Sequence, residues 1–288
     1  MTSSEITVIR QNKCVIGEGP VWNEFDKKLY FVNAKGPNQI CTYDCTSGII
    51  EATAYSEGTA AIAFSKDGRM LVSRPSGAYF LDGNGNATPM YDTEKYSLKY
   101  CNDAKVGPDG RFYVGTQSEK RLKISDKTDG RLYSIDKYGK VRLLLDGMRL
   151  SNGMEWSLDE KFFYHTDSDT NIIKEYAFDK ASGDIEFTGR QVKVQCVDGF
   201  TINQKGQLLA ACWGLGQIAV IDTKTMSVCD TIKLPVSIPA SCAFFGENSD
   251  KLAITTASYT CDMLKDPDTG YLCVAEMKTG GRKPYLFG

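Results

Sequence analysis

Short runs of apolar and β-branched residues alternate with tight polar turns along the sequence. Residues 70–73 (Met-Leu-Val-Ser) follow Asp67-Gly68, and residues 111–114 follow Asp109-Gly110. Asp-Gly between two such runs predicts a β-hairpin, because both residues tolerate the positive φ that the turn requires. No stretch sustains the 3.6-residue period of an amphipathic helix. The pattern therefore predicts an all-β chain of short antiparallel strands.

The same arrangement of turn, apolar anchor and strand runs recurs six times. The six anchors are Trp22, Phe64, Val106, Trp156, Ile202 and Phe244, separated by 42, 42, 50, 46 and 42 residues. Repeats of this length with material for four short strands each are typical of a β-propeller, one blade per repeat. The sequence thus predicts a single domain, 1–288, folded as a six-bladed β-propeller with four-stranded antiparallel blades. Residues 6–9 are expected to supply the outermost strand of the sixth blade and so to close the ring.

Four residues before each anchor stands a polar or small side chain. These residues are Glu18, Ala60, Asn102, Asn152, Asp198 and Ala240. Because they share one phase of the repeat, they are expected at equivalent places, where the innermost strands begin beside the central channel. Carboxylate and amide oxygens without imidazole or thiolate suit Ca²⁺, Mg²⁺ or Mn²⁺. The alternative is that they cap strand starts or bind channel water.

Charge and composition limit the classes of binding partner that we expect. The net charge is −2, with 34 basic and 36 acidic residues mixed along the chain, so no basic patch indicates nucleic acid or an anionic membrane. No apolar stretch approaches the length of a membrane span, and the N-terminus lacks the features of a signal peptide, so we expect a cytoplasmic protein. The ten cysteines are scattered among apolar runs, which favours reduced core residues over disulfides.

Other chemistry-bearing residues have two interpretations each. The single histidine, His165, lies in an aromatic run and is expected to pack beside the core rather than act as a base. Tyr100 lies where it could reach a ligand or join the core. The polar insertion 117–129 either borders a binding site, where it could act as a lid, or is a solvated loop.

Four motifs, in order and over nearly the whole chain, resemble the SMP-30/gluconolactonase/luciferin-regenerating enzyme family, the regucalcin-like proteins. The motifs are Gly17-Glu18-Gly19-Pro20-Val21-Trp22, Asn102-Asp103-Ala104-Lys105-Val106, Ser151-Asn152-Gly153-Met154-Glu155-Trp156-Ser157 and Asp198-Gly199-Phe200-Thr201-Ile202. The resemblance implies a six-bladed propeller that holds one divalent cation on its axis.

Site residues follow from that resemblance position by position. Glu18, Asn152 and Asp198 match the metal ligands, and Asp198 also matches the proposed general base. Asn102 matches a residue that contacts substrate or metal-bound water, and Asp103 is the next residue of that motif. Tyr100 stands where sugar-lactonase members typically have an arginine, so the resemblance supports the metal chemistry better than sugar-lactone specificity.

The resulting hypothesis is metal-dependent hydrolysis of a small lactone, with Ca²⁺, Zn²⁺, Mn²⁺ or Mg²⁺ as the cation. Two other classes stay open: a non-catalytic propeller that binds calcium or a small molecule, and a protein-interaction scaffold. A lactone is the expected partner, and a monomer or homodimer is the expected assembly.

Overall fold

Twenty-four short β-strands and one turn of 3-10 helix, Ser168–Thr170, are found in residues 5–119, 128–259 and 265–288, which a computed structural model describes. The first strands are β1 (Ile6–Ile9), β2 (Gly17–Asn23), β3 (Lys28–Asn33), β4 (Gln39–Asp44), β5 (Ile50–Ala54), β6 (Ala61–Phe64), β7 (Met70–Arg74), β8 (Gly77–Leu81), β9 (Ala87–Pro89), β10 (Cys101–Val106), β11 (Phe112–Thr116), β12 (Gly130–Ile135) and β13 (Val141–Met148). The remaining strands are β14 (Ser151–Trp156), β15 (Phe162–Asp167), β16 (Ile172–Asp179), β17 (Asp184–Lys193), β18 (Val197–Ile202), β19 (Gln207–Cys212), β20 (Gln217–Asp222), β21 (Ser227–Lys233), β22 (Pro239–Phe245), β23 (Lys251–Thr256) and β24 (Leu272–Glu276).

These strands form six antiparallel sheets of four, the blades of a propeller. Blades 1 to 5 are each built from four consecutive strands, beginning with β2, β6, β10, β14 and β18, and blade 6 begins with β22. The first strand of each blade contacts the first strand of the next, and β22 contacts β2, so these six innermost strands surround the axis. The predicted six-bladed β-propeller is confirmed. We call the end of the ring where the innermost strands begin the upper end, and the opposite end the lower end.

The two ends of the chain meet in blade 6. Strand β1 is the outermost strand of that blade and pairs antiparallel with β24, Ile6 opposite Ala275 and Ile9 opposite Leu272. The prediction that residues 6–9 close the ring is therefore correct. Closure leaves no open gap between the first and last blades, which protects their edges from pairing with another chain.

The core lies between neighbouring blades. The six repeat anchors are all buried, with Trp156 fully enclosed and none exposed by more than 3%. Tyr113 from blade 3 packs edge-on against Trp156 at 4.8 Å between ring centroids, which joins blades 3 and 4. Aromatic pairs in this geometry add stability beyond the area they bury. Because each anchor fills the space between two blades, the 42- to 50-residue spacing of the anchors corresponds to one blade.

Cysteines behave as the sequence analysis expected in the part of the chain that the structure covers. All nine cysteines there are free, and most are buried among apolar side chains. Burial raises the pKa of the Cys242 thiol to about 12, so it stays protonated and packs as a small apolar group. Within the described ranges, no helix is long and apolar enough to cross a membrane.

Candidate metal and substrate site at the upper end of the ring

The repeated polar residues lie at matching places on the innermost strands. Glu18, Asn102, Asn152 and Asp198 are each the second residue of their strand. Ala240 occupies the same place in blade 6, and Ala60 directly precedes β6. Because the six inner strands surround one axis, this equivalence places the four polar side chains around the upper mouth of the channel, with the two alanines between them.

A local break in strand pairing occurs at or just after the repeated position in five of the six blades, the four with a polar residue and blade 6. In blade 1 the register shifts between Glu18 and Val21, and in blade 5 between Val197 and Phe200. Comparable shifts follow in blades 3, 4 and 6. A β-bulge adds a residue to one strand and changes the direction in which its side chains point. The bulges therefore direct the polar side chains toward the site and the apolar side chains beside them toward the interfaces between blades.

Glycine next to the polar residue allows the inner strands to approach each other. A Cβ at Gly153 would lie 2.4 Å from the carbonyl oxygen of Asp198 and 2.3 Å from Phe200, and its φ is +25°. Any other residue here would bring a Cβ into collision with these atoms and would have to adopt a backbone angle that glycine accepts most easily. Gly153 thus fixes the spacing between the strands that carry Asn152 and Asp198.

Asn152 and Asp198 are in direct contact. The Nδ2 amide of Asn152 donates a hydrogen bond to Oδ1 of Asp198, and both residues are buried. Glu18 is close enough to experience the charge of Asp198: burial, then repulsion from Asp198 and Asp103, raises the pKa of Glu18 well above its ordinary value. The structure therefore brings the three predicted ligands into one electrostatic group.

The oxygen-rich group fits a hard divalent cation. A cation between Glu18 and Asp198 would offset the repulsion that now raises the pKa of Glu18. Two carboxylates and the Asn152 amide are ligands of the type that Ca²⁺, Mg²⁺ and Mn²⁺ accept, with water or backbone oxygen completing the shell. Because only two members of this group are carboxylates, the Asn152 amide would supply the third side-chain ligand.

Asn102 and Asp103 face different surroundings although they are neighbours. The amide of Asn102 donates to the carbonyl of Ser151 at 3.2 Å, which fixes it against blade 4. Asp103 lines a cavity of about 70 Å³ on the axis, together with Lys105, Glu155 and Arg282. Burial raises the pKa of Asp103 to about 6, against the opposing attraction of Lys105. We call this space the axial cavity.

Tyr100 belongs to a separate depression. Its backbone is left-handed, with φ of +56°, and its side chain is 38% exposed. The side-chain hydrogen bond to Glu119 raises the pKa of the Tyr100 phenol. The depression, about 240 Å³, is lined by Tyr100, Gln117, Glu119, Asp129 and Arg131 among others and shares none of these with the axial cavity. Most of the 117–129 insertion, residues 120–127, lies outside the described residues, so both interpretations of this insertion stay predictions.

His165 is a core residue. It is 3% exposed, stacks on Phe163 and bonds through Nε2 to the hydroxyl of Ser151 at 2.8 Å. Burial lowers the pKa of His165 to about 3, so the ring is neutral at physiological pH. This burial agrees with the sequence interpretation and removes His165 from the set of accessible bases.

A charged network at the lower end of the axial cavity was not predicted. Glu155, 3% exposed, forms ion pairs with Lys105, at 3.0 Å, and with Arg282. Burial alone would raise the pKa of Glu155, but Arg282 and Lys105 outweigh it, and the pKa lies below its ordinary value. Nothing in the repeat identifies Arg282, because it comes after the sixth blade.

The C-terminal segment, residues 280–288, carries Arg282 across the lower end of the ring. It bridges Asn203 at Gly281 and Ser65 at Phe287. Arg282 also donates to the carbonyl of Trp156 at 3.2 Å. The segment therefore covers the axis on the side opposite the candidate site, which leaves the upper end as the approach for a ligand.

Comparison with known proteins decides the family. The model of the family described as "SMP-30/Gluconolactonase/LRE-like region" matches residues 16–258. The chain belongs to this family. Regucalcin of Gallus gallus is 28% identical over 299 residues, covering 100% of this chain and 99% of that protein, and regucalcin of Homo sapiens is 27% identical with the same coverage.

Solved structures share the fold over almost the full length. A calcium-binding protein, regucalcin, from Agrobacterium tumefaciens superimposes with a TM-score of 0.87 at 22% identity, covering 99% of this chain and 98% of that one. A gluconolactonase from Xanthomonas campestris gives a TM-score of 0.75 at 18% identity, with 94% and 89% covered. At these identities the likeness shows the fold alone. The description of the family names gluconolactonases, and the relatives of this chain by sequence are regucalcins.

Proposed function

We propose that this protein is a divalent-metal-dependent hydrolase of a small lactone. The observation that carries the proposal is the group formed by Glu18, Asn152 and Asp198 at the upper end of the ring, in which the bonded pair Asn152–Asp198 adjoins a second carboxylate. Membership of a family that includes gluconolactonases supports the reaction class. The substrate identity is a separate question.

Each predicted residue has a role in this proposal. Glu18, Asn152 and Asp198 would hold the cation, and a bound divalent cation would supply Lewis-acid polarisation of the lactone carbonyl. Asp198 would accept a proton from the attacking water, whose oxygen bonds to the carbonyl carbon while the ring C–O bond breaks and the released alkoxide takes up a proton. Asn102, fixed against the Ser151 carbonyl, would orient the ester. The product is the open hydroxy acid.

Two further predicted residues line the approach or the axis. Asp103 lies in the axial cavity, where a carboxyl with a pKa of about 6 would exchange protons near the site. Tyr100 lies outside that cavity, so its proposed substrate contact would be made from the neighbouring depression.

A panel of lactones tested with Ca²⁺, Zn²⁺, Mn²⁺ and Mg²⁺ examines the proposal directly. Turnover that stops with chelator and returns with one cation supports it. Asn102→Ala should lower kcat by about ten-fold or more through misorientation of the ester, while cation affinity measured by calorimetry changes little. Asn86→Ala, at an exposed turn of blade 2, is the matched control. Unchanged turnover by the Asn102 variant would remove its assigned role.

A non-catalytic function is the second candidate. It is favoured by the name regucalcin of the relatives and by the description of the Agrobacterium protein as calcium-binding. This alternative predicts saturable Ca²⁺ binding and thermal stabilisation without product from any lactone. Stoichiometric binding that is lost in Glu18→Gln, together with no turnover across the panel, would favour it over the hydrolase.

A further inference from the structure

Arg74 is a buried cation that the proposed mechanism does not use. It ends strand β7 in blade 2 and is 5% exposed. Its Nε atom lies 3.4 Å from the hydroxyl of Thr59, and Nη2 is enclosed with no hydrogen-bond partner in the part of the chain that the structure describes. The ring of Tyr55 lies 5.8 Å from its Cζ atom. These neighbours are neutral.

A buried guanidinium without a carboxylate is energetically unfavourable. Taking the charge out of water costs free energy that a weak contact to a hydroxyl and a distant ring recover only in part. Two buried carboxylates of blade 4 have cationic partners: Glu155 meets Lys105 and Arg282, and Arg190 meets both oxygens of Glu175. Within the described ranges, Arg74 has no such ion pair. This difference indicates that its counter-ion comes from a ligand.

The location of Arg74 connects it with the candidate site. Strand β7 runs antiparallel to β6, so Arg74 lies at the upper end of the ring. Thr59, its contact, immediately precedes Ala60, the blade 2 position that matches Glu18 and Asn102. The preceding residue, Ser73, donates from its hydroxyl to the carbonyl of Asn102 at 2.8 Å. Because neighbouring residues of a strand point to opposite faces of the sheet, the Arg74 side chain points away from Asn102, toward Thr59 and Tyr55 beside the start of the blade 2 inner strand.

The small residue of blade 2 leaves space at this point. Ala60 replaces the larger polar side chains of blades 1, 3, 4 and 5, and the backbone that follows Arg74 turns toward blade 3, where the carbonyl of Pro75 accepts a hydrogen bond from the amide of Tyr100 at 2.7 Å. An extended ligand held at the upper mouth of the channel would have its distal end over blade 2. A substituent that passes Ala60 would reach Thr59 and the Arg74 guanidinium that contacts it.

We propose that Arg74 binds a carboxylate of the substrate, so that the preferred lactone is one that carries a second, free acid group. Arginine presents a planar fork of donors that matches a carboxylate through two hydrogen bonds, which a neutral hydroxymethyl group cannot reproduce. The inference rests on the proposed hydrolase function for its substrate class. The binding role of Arg74 itself does not require turnover.

Two lactones of equal ring size test this specificity. D-glucaro-1,4-lactone and D-glucono-1,4-lactone differ at the end of the side chain, which carries a carboxylate in the first and a hydroxymethyl group in the second. The wild-type protein should favour the glucaro-lactone. Arg74→Gln should lower kcat/KM for that lactone about ten-fold or more, mainly through KM, and change the value for the glucono-lactone less than about three-fold. Arg74→Lys should recover part of the loss, because it keeps the charge.

Arg69→Gln is the matched control. Arg69 lies at the other end of the same hairpin, is largely exposed and pairs with Asp67, so its loss should leave the preference between the two lactones unchanged. Equal losses on both lactones in Arg74→Gln, or no preference in the wild-type protein, would overturn the proposal.

Calorimetry with glucarate, the open dicarboxylate, separates this inference from the hydrolase proposal. If no lactone is turned over, glucarate binding that is weakened about ten-fold or more by Arg74→Gln still supports the anion site, whereas undetectable binding overturns it. A protein side chain is the competing counter-ion. The candidate is Glu57, which accepts a hydrogen bond at 3.1 Å from the amide of Ser76, two residues after Arg74. Equal destabilisation by Glu57→Gln and Arg74→Gln, without any change in glucarate binding, would assign Arg74 to that pair and overturn the proposal.

Discussion

Replacing Arg282 with Met removes the cation that fastens the C-terminal segment to the channel. In the native protein Glu155 has two cationic partners, Lys105 at 3.0 Å and Arg282, and is only 3% exposed. Arg282 also donates to the carbonyl of Trp156 at 3.2 Å and to the hydroxyl of Tyr285 at 3.0 Å. The substitution therefore leaves the buried carboxylate of Glu155 with Lys105 as its one cationic partner from this pair. The carbonyl of Trp156 loses the hydrogen bond from Arg282.

The magnitude follows from these contacts. Loss of one partner from a buried ion pair costs about 3–5 kcal/mol, because the other charge stays buried. Lys105 remains beside Glu155, so we expect a value at the lower end, about 3 kcal/mol. Lys283→Met is the control from the same segment. Lys283 pairs with Glu24 at 3.0 Å, but its side chain is 52% exposed, and such surface pairs contribute about 0–1 kcal/mol.

Equilibrium unfolding in urea measures both variants, and a double-mutant cycle with Glu155→Gln isolates the interaction. The midpoint should fall for Arg282→Met with little change in the m-value. The coupling between the Arg282 and Glu155 substitutions should exceed about 1 kcal/mol. An Arg282→Met protein as stable as Lys283→Met, or additive effects in the cycle, would refute the view that this ion pair fastens the segment.

Three more outcomes are expected. Gly153→Ala should destabilise by about 1–3 kcal/mol in urea unfolding and weaken Ca²⁺ binding, because the added carbon meets Phe200 and the Asp198 carbonyl within 2.4 Å; native affinity would contradict it. In chelator, the pKa of Asp103 near 6 means that wild-type stability falls as pH rises from about 4 to 6, since the folded state binds the proton more tightly. Asp103→Asn should make that fall smaller, with the Glu18 contribution remaining, and gain at most about 3 kcal/mol at pH 8, with little gain at pH 3; equal pH profiles would contradict the assignment. Glu18→Gln should abolish the rise in melting temperature that Ca²⁺ gives the wild-type protein, and an unchanged rise would exclude Glu18 as a ligand.

The repeat made the fold predictable to the level of single strands. Each anchor, such as Trp22 or Phe244, has to fill the equivalent gap between two blades. The number and spacing of the anchors therefore give the number of blades. The role of residues 6–9 follows as well, because a ring needs its ends joined in one blade. The inner-strand positions of Glu18 and Asp198 follow from the same phase.

Contacts that break the repeat could not be predicted in this way. Arg282 meets Glu155 across 127 residues, and the segment that carries Arg282 has no counterpart in another blade. Arg74 lies in a strand whose hydrophobic pattern predicts its path but not that a charge would be buried at its end. Asn102 and Asp103 are adjacent in sequence, yet the bulge that directs them to different surroundings depends on the three-dimensional approach of neighbouring strands. The sequence pattern thus predicts the fold and the position in each repeat that contributes to the site. Which charged side chains pair with each other can be seen only in the structure.

Closure of blade 6 by β1 has a consequence for how the molecule forms. Ile6 pairs with Ala275, so the blade stays unfinished during synthesis until β24 has left the ribosome. Contacts between residues so far apart in sequence are slow to form, because the intervening chain has to be ordered first. The first five blades are complete in sequence by Lys233, whereas the start of the chain has to remain free until β24 emerges. A protein tag that obstructs residues 6–9 would therefore impair the last step of assembly rather than the early ones.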